Sequence, residues 1–291
     1  MRRLSAWRRG LWRPELMDEL RRAEEAVVEA LKRRGSILVA LSGGVDSSVV
    51  AALAFKALKD RAAAVTISSP LHPPWEVEEA RRVAERIGLR HAVLRLNELE
   101  DPSVAGNRPD RCYHCKRLRF TAALKLAEGL ELSCVADGTN ADDLSDRRPG
   151  LKALRELNVF SPLAEAGLGK REVRRLAARL GLPSTHRPSS ACLATRFPYG
   201  RPLTLEALRR VAEGERVVAE ALGAWGCVRV RDHGDLARIE VERGLVEALV
   251  KPEVALKVAS KLKGLGYRFV AVDLEGYRRG SWDLELDLHG A

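Results

Sequence analysis

This chain predicts an α/β fold: a doubly wound parallel sheet of about five strands, followed by a smaller C-terminal α+β domain. Three observations predict it. Short, wholly apolar runs alternate with amphipathic helical stretches through the first half. A glycine-rich turn directly follows the first of those runs. A proline-rich loop then breaks the rhythm, and strands and helices resume in a different order. The boundary falls between residues 1–185 and 186–291.

In chain order, an amphipathic helix over roughly Pro14 to Arg34 precedes "SILVAL", a short apolar run of the kind found in buried parallel strands. "SGGVDSS" (Ser42 to Ser48) leads into a helix, "SVVAALAFKALKD". "AAAVTI" reads as a strand, "PWEVEEARRVAERIG" as a helix and "HAVLRL" as a strand. A helix through "CKRLRFTAALKLAEGL", strands at "SCVADG" and "NVFSPL", and a helix at "GKREVRRLAARLG" complete the first domain. Alternation of this kind places ligands at the carboxyl ends of the strands. "GLPSTHRPSSACLATRFPYGRP" holds four prolines and no periodicity, and reads as an active-site loop and hinge. Beyond it come a helix, "TLEALRRVAEGERVVAEALG", two alternating strands in "CVRVRDHGDLARIEVE", a helix, "PEVALKVASKLKGLG", and a strand, "YRFVAVDL". That order suggests a ferredoxin-like unit.

The 291 residues are 46% hydrophobic and 31% charged, as expected of a globular protein with a substantial core. No apolar run approaches the ~18 residues that span a bilayer. The basic N-terminus has no apolar export core, so the expected location is cytoplasmic, without a membrane partner. The net charge of +10 raises nucleic-acid binding, but the arginines sit beside glutamates on helix faces, and the expectation is no nucleic-acid partner. There is no glutamine and there are four asparagines, a bias that fits either high-temperature service or genome composition.

"SGGVDSS" stands between a buried strand and a helix. Its glycines let backbone N–H groups approach a phosphate, its serines add donors, and the helix N-terminus adds partial positive charge. It is neither a Walker A loop nor a dinucleotide fingerprint. Ser-Gly-Gly-x-Asp-Ser resembles the PP-loop of ATP pyrophosphatases, which hold the pyrophosphate of ATP and transfer AMP. The resemblance implies that Ser42, Gly43, Gly44, Asp46, Ser47 and Ser48 hold pyrophosphate, with Asp46 orienting Mg²⁺. It also implies that adenine lies at the end of the second strand, near Thr66 to Ser68, gripped mostly by backbone. "ADGTNADDLSDRRPG" follows the fourth strand, so Asp137, Gly138, Thr139 and Asn140 are expected to face the same cleft. Asp142, Asp143 and Asp146 read as a solvated acidic cluster.

Five cysteines, an odd number without a secretion signal, argue against a disulfide framework. Cys112 and Cys115 in "RCYHCK" share one face if that segment is helical. A redox pair, a zinc half-site completed by Cys192, His114 or His186, and an iron–sulfur site with Cys112, Cys115 and Cys192 all remain open. Cys134 and Cys227 read as small core hydrophobes. Cys192 lies in a polar loop with Arg187, Arg196 and Arg201 nearby, and positive neighbours favour the thiolate needed for attack or ligation. Arg229 and Arg231 alternate onto one strand face suited to a phosphate.

Together "LSGGVDSS", "PDRCYHCK", "ADGTNADDLSDRRPG", "SPLAEAGLGK", "PSSACLATRFPYG" and "RVRDHGDLARIEVE" resemble the LarE ATP-dependent sulfur transferases of nickel-pincer nucleotide biosynthesis, over almost the whole chain. That resemblance implies adenylation of a carboxylate of pyridinium-3,5-biscarboxylate mononucleotide and replacement of its oxygen by sulfur. Three cysteines, Cys112, Cys115 and Cys192, imply the form carrying a [4Fe-4S] cluster whose extra sulfide is the donor. Members with only the last cysteine give up its own sulfur. Lys116 and the Asp137 loop are then expected at the AMP phosphate, and Arg229 and Arg231, with Glu240 and Arg196, at the substrate. Cys192 and Asp46 become the catalytic candidates. The implied partners are a small-molecule nucleotide, a downstream nickel-insertion enzyme and further copies of the chain, since the family forms rings of subunits. A tRNA-thiolating PP-loop enzyme and a non-catalytic nucleotide- or metal-binding regulator are the alternatives.

Overall fold

The protein is described from a computed structural model covering residues 14–145, 149–183, 191–224 and 228–278. Its chain clusters into two compact units. The first comprises Met1–Ser68, Pro74–Leu96 and Cys112–Ser189; the second comprises Ser69–Pro73, Asn97–Arg111 and Ser190–Ala291. The second thus recruits two short segments from the first half of the sequence. The boundary expected at 185/186 lies outside the described residues, as do Asp146, His186, Arg187 and Cys227.

The first unit is built on four parallel strands in the order β3-β2-β1-β4: β1 (Ile37–Ala40), β2 (Ala62–Ser68), β3 (Arg90–Arg95) and β4 (Cys134–Ala136). Strands with both faces covered need apolar residues at every position, and β1, "ILVA", supplies them. Ile37 and Val39 pack with helices α1 (Pro14–Arg33), α2 (Val45–Leu58), α3 (Trp75–Ile87) and, further along the chain, Lys170–Arg179. Leu38 points the other way, onto Ala123 and Ala127 of α4 (Arg111–Gly129). Helices therefore cover both faces, as a doubly wound sheet requires. Each fully buried aliphatic side chain here contributes roughly 1.5–3 kcal/mol. The fifth expected strand, "NVFSPL", is reduced to a single parallel bridge from Phe160 to Ala136, because Pro162 starts a helical turn two residues later.

The chain advances from β1 outward to β3 and then returns to β4 on the other side of β1. The carboxyl ends of β1 and β4 are therefore the point at which strand order reverses, and their loops open on one crevice. Two helices follow β4, α5 (Ala141–Ser145) and α6 (Pro149–Glu156), and then α7 (Lys170–Arg179).

The second unit packs α8 (Leu205–Leu222) and α9 (Pro252–Gly264) on a three-stranded sheet of β5 (Val228–Asp232), β6 (Leu236–Val241) and β7 (Phe269–Val272). β5 pairs antiparallel with β6, and β6 pairs parallel with β7. This corrects the ferredoxin-like expectation: among the described residues the sheet has three strands and is mixed. The reason is that β6 and β7, joined by a helical crossover, pair directly in parallel, with no strand between them.

Candidate active site

The loop after β1 begins at Gly43, whose φ of +74° suits glycine, and Gly44 stands at the N-cap of α2. Hydroxyls brace the loop from within. Gly44 N donates to Ser42 Oγ at 3.3 Å, Ser42 N donates to Ser47 Oγ at 3.2 Å, and the hydroxyls of Ser47 and Ser48 donate to Gly44 O at 3.2 and 2.7 Å. The first-turn N–H groups of α2 remain as an anion-binding end. Asp46 pairs through Oδ2 with Lys170 Nζ, while its Oδ1 is buried and makes no hydrogen bond. A carboxylate oxygen so placed has the chemistry to bind a hard cation, and Mg²⁺ would fit it.

The loop after β4 closes on this one. A Cβ on Gly138 would lie 2.7 Å from Ser47 N, so only glycine lets the two main chains approach. Asp137 accepts from Thr139 N at 3.2 Å, from Thr139 Oγ1 at 2.5 Å and from Ser161 Oγ at 2.6 Å. Lys116 Nζ stands 3.9 Å from Asp137 Oδ2, and the lysine stem runs close over Gly150. Asn140 caps α5 by accepting from Asp142 N at 3.0 Å, and Asp142 in turn accepts from Lys170 N at 2.7 Å. Asp142, expected to be simply solvated, thus fastens the start of α7 to the site. Thr66 is buried, and its hydroxyl donates to Leu41 O at 2.6 Å and lies 2.8 Å from His91 Nε2. Near Ser68, the backbone oxygen accepts from Leu96 N at 3.0 Å. Burial, then the charge of Arg81, holds His91 below its ordinary pKa.

In the second unit, Cys192 precedes a short 3₁₀ turn, Leu193–Arg196, with its side chain partly exposed. Leu193, Ala194 and Phe197 are buried and anchor the turn. Arg196, 1% exposed, donates to Ala191 O at 2.9 Å, Cys192 O at 3.1 Å and Thr195 Oγ1 at 2.8 Å. Its other face makes a bidentate pair with Glu215, at 2.7 and 3.0 Å. Arg231 donates to Thr195 O at 2.5 Å and to Glu240 Oε2 at 2.7 Å. Arg229 and Arg231 share one face of β5 and are both buried, while Val228 and Val230 enter the core behind them. Burial opposes charge on Arg196, but Glu215 outweighs it and holds the guanidinium above its ordinary value. Arg229 is pressed down, first by burial and then by the charge of Arg196.

Cys112 and Cys115 fall in the first turn of α4, the former exposed and the latter partly buried. They belong to the first unit and Cys192 to the second. Among the described residues no three His, Cys, Asp or Glu side chains gather as a metal group. As donors, thiols suit iron or another thiophilic metal and not Mg²⁺. Cys134 packs at the edge of the core, and burial raises its pKa, in keeping with a structural thiol.

A family model described as asparagine synthase matches residues 20–125, the stretch that carries the loop after β1. The pyridinium-3,5-bisthiocarboxylic acid mononucleotide synthase of Lactiplantibacillus plantarum is 36% identical over 266 residues, 91% of this chain and 95% of that protein. The chain belongs to the LarE family. An uncharacterized protein of Synechocystis sp. is 40% identical over 84% of this chain and 90% of its own. The tRNA-specific 2-thiouridylase of Thermus thermophilus is 33% identical over 53% of each. As a LarE-family PP-loop enzyme, the protein is an ATP-dependent sulfurtransferase. No helix among its described residues is long and apolar enough to cross a membrane.

Sequence reasoning missed two residues, one in each unit. Lys170, at the end of "SPLAEAGLGK", carries no local signal of its partner, since 124 residues separate it from Asp46. Glu215 had a readable signal: it sits in the apolar stripe of α8, with Leu208, Val211, Ala212 and Val218, where a lone acid implies a buried counter-ion.

Proposed function

We propose that the protein adenylates a carboxylate of pyridinium-3,5-biscarboxylate mononucleotide and converts it to a thiocarboxylate. The observation that carries this reading is the pair of buried arginines on one face of β5, Arg229 and Arg231, beside Glu240. With Arg196 paired to Glu215, Arg229 and Arg231 against the one carboxylate of Glu240 leave positive charge for a ligand bearing a phosphate and carboxylates. The product after which the Lactiplantibacillus relative is named supports the same substrate class.

A carboxylate resists nucleophiles until joined to a good leaving group, and AMP is one. In this reading the first-turn N–H groups of α2 hold pyrophosphate, on a loop stiffened by Ser42, Gly43, Gly44, Ser47 and Ser48. Asp46 holds Mg²⁺, and backbone at Thr66 to Ser68 receives adenine. Lys116, with Asp137, Gly138 and Thr139, positions the AMP phosphate. Arg229 and Arg231, with Glu240, grip the substrate. Arg196, expected as a substrate ligand, is assigned instead to holding the Cys192 turn, because its donors already engage that turn and Glu215.

Cys112, Cys115 and Cys192 are the residues that would hold a [4Fe-4S] cluster, which when bound supplies a sulfide nucleophile to the activated acyl carbon. The reading includes a homo-oligomer in the cytoplasm whose product passes to a nickel-insertion enzyme.

The test is anaerobic purification with iron and acid-labile sulfide analysis, beside assays of Cys192→Ala. Expected are iron and sulfide in the wild type, and a variant that still releases pyrophosphate from ATP with the biscarboxylate nucleotide but incorporates no sulfur. Zinc in a colourless protein would overturn the cluster, and a Cys192 converted to dehydroalanine by turnover would make that cysteine the donor. Pyrophosphate release driven by tRNA, and not by the nucleotide, would favour the thiolation chemistry of the Thermus relative.

A further inference from the structure

We propose that Lys170 is a built-in counter-ion of Asp46 that the metal must displace, coupling metal binding to nucleotide binding. The inference rests on the reading of Asp46 as the Mg²⁺ ligand and goes beyond it. Three observations carry it.

The first is the ion pair itself: Lys170 Nζ is bonded to Asp46 Oδ2, with both side chains partly buried. The second is the other oxygen, Asp46 Oδ1, which is buried and without a hydrogen bond, leaving half of the carboxylate's accepting capacity unused. The third is how Lys170 is held. Its backbone N donates to Asp142 Oδ2, and a Cβ on Gly169 would lie 2.8 Å from Asp142 Oδ1. The main chain at the start of α7 is thus clamped, and the one part of Lys170 free to rotate is its four-carbon stem.

A carboxylate in the first turn of α2 already sits in the favourable field of a helix N-terminus. With the ammonium also on it, Asp46 is locally neutralised, and a divalent cation arriving alone meets a like charge at the ligand it needs. A nucleotide changes that balance. Its phosphates, lying in the loop beside Asp46, offer the ammonium another anion. Lys170 can then leave Asp46 to the metal without losing a partner. Metal alone is disfavoured, metal with nucleotide is favoured, and the two binding events become cooperative. Lys170 is thereby a positioning residue for the metal as well as a cation for the phosphates.

This differs from the effect of an ordinary phosphate-binding lysine, whose removal weakens nucleotide binding and leaves the nucleotide-free metal site alone. The experiment reads that difference: Mn²⁺ titration followed by electron paramagnetic resonance, with and without a non-hydrolysable ATP analogue. Lys170→Met should bind Mn²⁺ more tightly than wild type when no nucleotide is present, by roughly two- to fivefold, the scale of a partly exposed ion pair. Its gain in Mn²⁺ affinity on adding the analogue should shrink by a similar factor. Lys170→Arg should keep wild-type behaviour, and Lys170→Gln serves if the methionine variant does not fold. A folded neutral variant whose nucleotide-free Mn²⁺ affinity is unchanged or weaker overturns the counter-ion role. Asp46→Asn separates the two readings. Loss of Mn²⁺ binding there supports Asp46 as the ligand, and Mn²⁺ binding at wild-type affinity overturns both.

Discussion

Gly138→Ala tests the claim that the loops after β1 and β4 form one rigid cradle. The added Cβ would lie 2.7 Å from Ser47 N and 3.1 Å from both Asp46 C and Ser47 Cα, all main-chain atoms that cannot rotate away. Ordinary contact begins at 3.4 Å, so one loop must retreat by about 0.7 Å. Overpacking of this kind costs about 1–3 kcal/mol. At roughly 2–4 °C per kcal/mol, differential scanning calorimetry should find Tm lowered by about 2–12 °C. The catalytic effect should be the larger one, because misplacement approaching 1 Å at a reacting centre lowers rates by up to about 100-fold. Pyrophosphate release from ATP with the nucleotide substrate should therefore fall by roughly ten- to a hundredfold. Gly129→Ala is the control: nothing lies within 4 Å of a Cβ there, and stability should hold or rise by up to about 1 kcal/mol. If Gly138→Ala melts within 1 °C of wild type (about the resolution of the method) and releases pyrophosphate at the wild-type rate, the cradle does not exist.

Two further outcomes are expected. Arg196→Met strands Glu215 without its bidentate partner and should destabilise the second unit by about 3–5 kcal/mol in urea unfolding, with the Arg196→Met/Glu215→Met double variant recovering part of the loss; a single variant within about 1 kcal/mol of wild type would refute the clamp. His91 has a lowered folded-state pKa, so the folded protein resists a proton that the unfolded chain accepts. Its contribution is present above the unfolded value of 6.5 and is lost as pH falls from there toward the folded value. Tm measured from pH 8 downward should drop below about pH 6.5, and His91→Gln should flatten that drop; an unchanged slope in the variant would assign the pH dependence to other groups.

Much of the first unit was legible because its signals are local. "SILVAL" becomes β1 because four consecutive apolar residues suit a strand covered on both faces, and "SGGVDSS" turns from that strand into α2 at Gly43, which alone there adopts a positive φ. "RCYHCK" lies in the first turn of a helix, one turn bringing its cysteines to the same face. Other signals misled. "NVFSPL" has a strand's composition, yet Pro162 limits it to one bridge, and the β5-to-β7 region has ferredoxin-like element order without that sheet. Short helical turns at Pro102–Ala105 and Val246–Leu249 carry too few residues for any periodicity to register.

The candidate chemistry was written in residue types at close spacing: the glycine-rich loop, the paired cysteines, and the two arginines alternating on β5. Each is a feature of one element, set by 2.0 or 3.6 residues per repeat. What only the tertiary structure decided is which distant groups meet. Lys170 reaches Asp46 across 124 residues of chain, Gly138 touches Ser47, and Arg196 is claimed by Glu215 and the Cys192 turn. Those choices depend on strand order and on burial, which turn an exposed-looking arginine into a buried clamp and an unremarked lysine into a counter-ion. A local pattern can name the reagents, but charge pairing in a low-dielectric site is settled only when the fold brings the partners within a few ångströms.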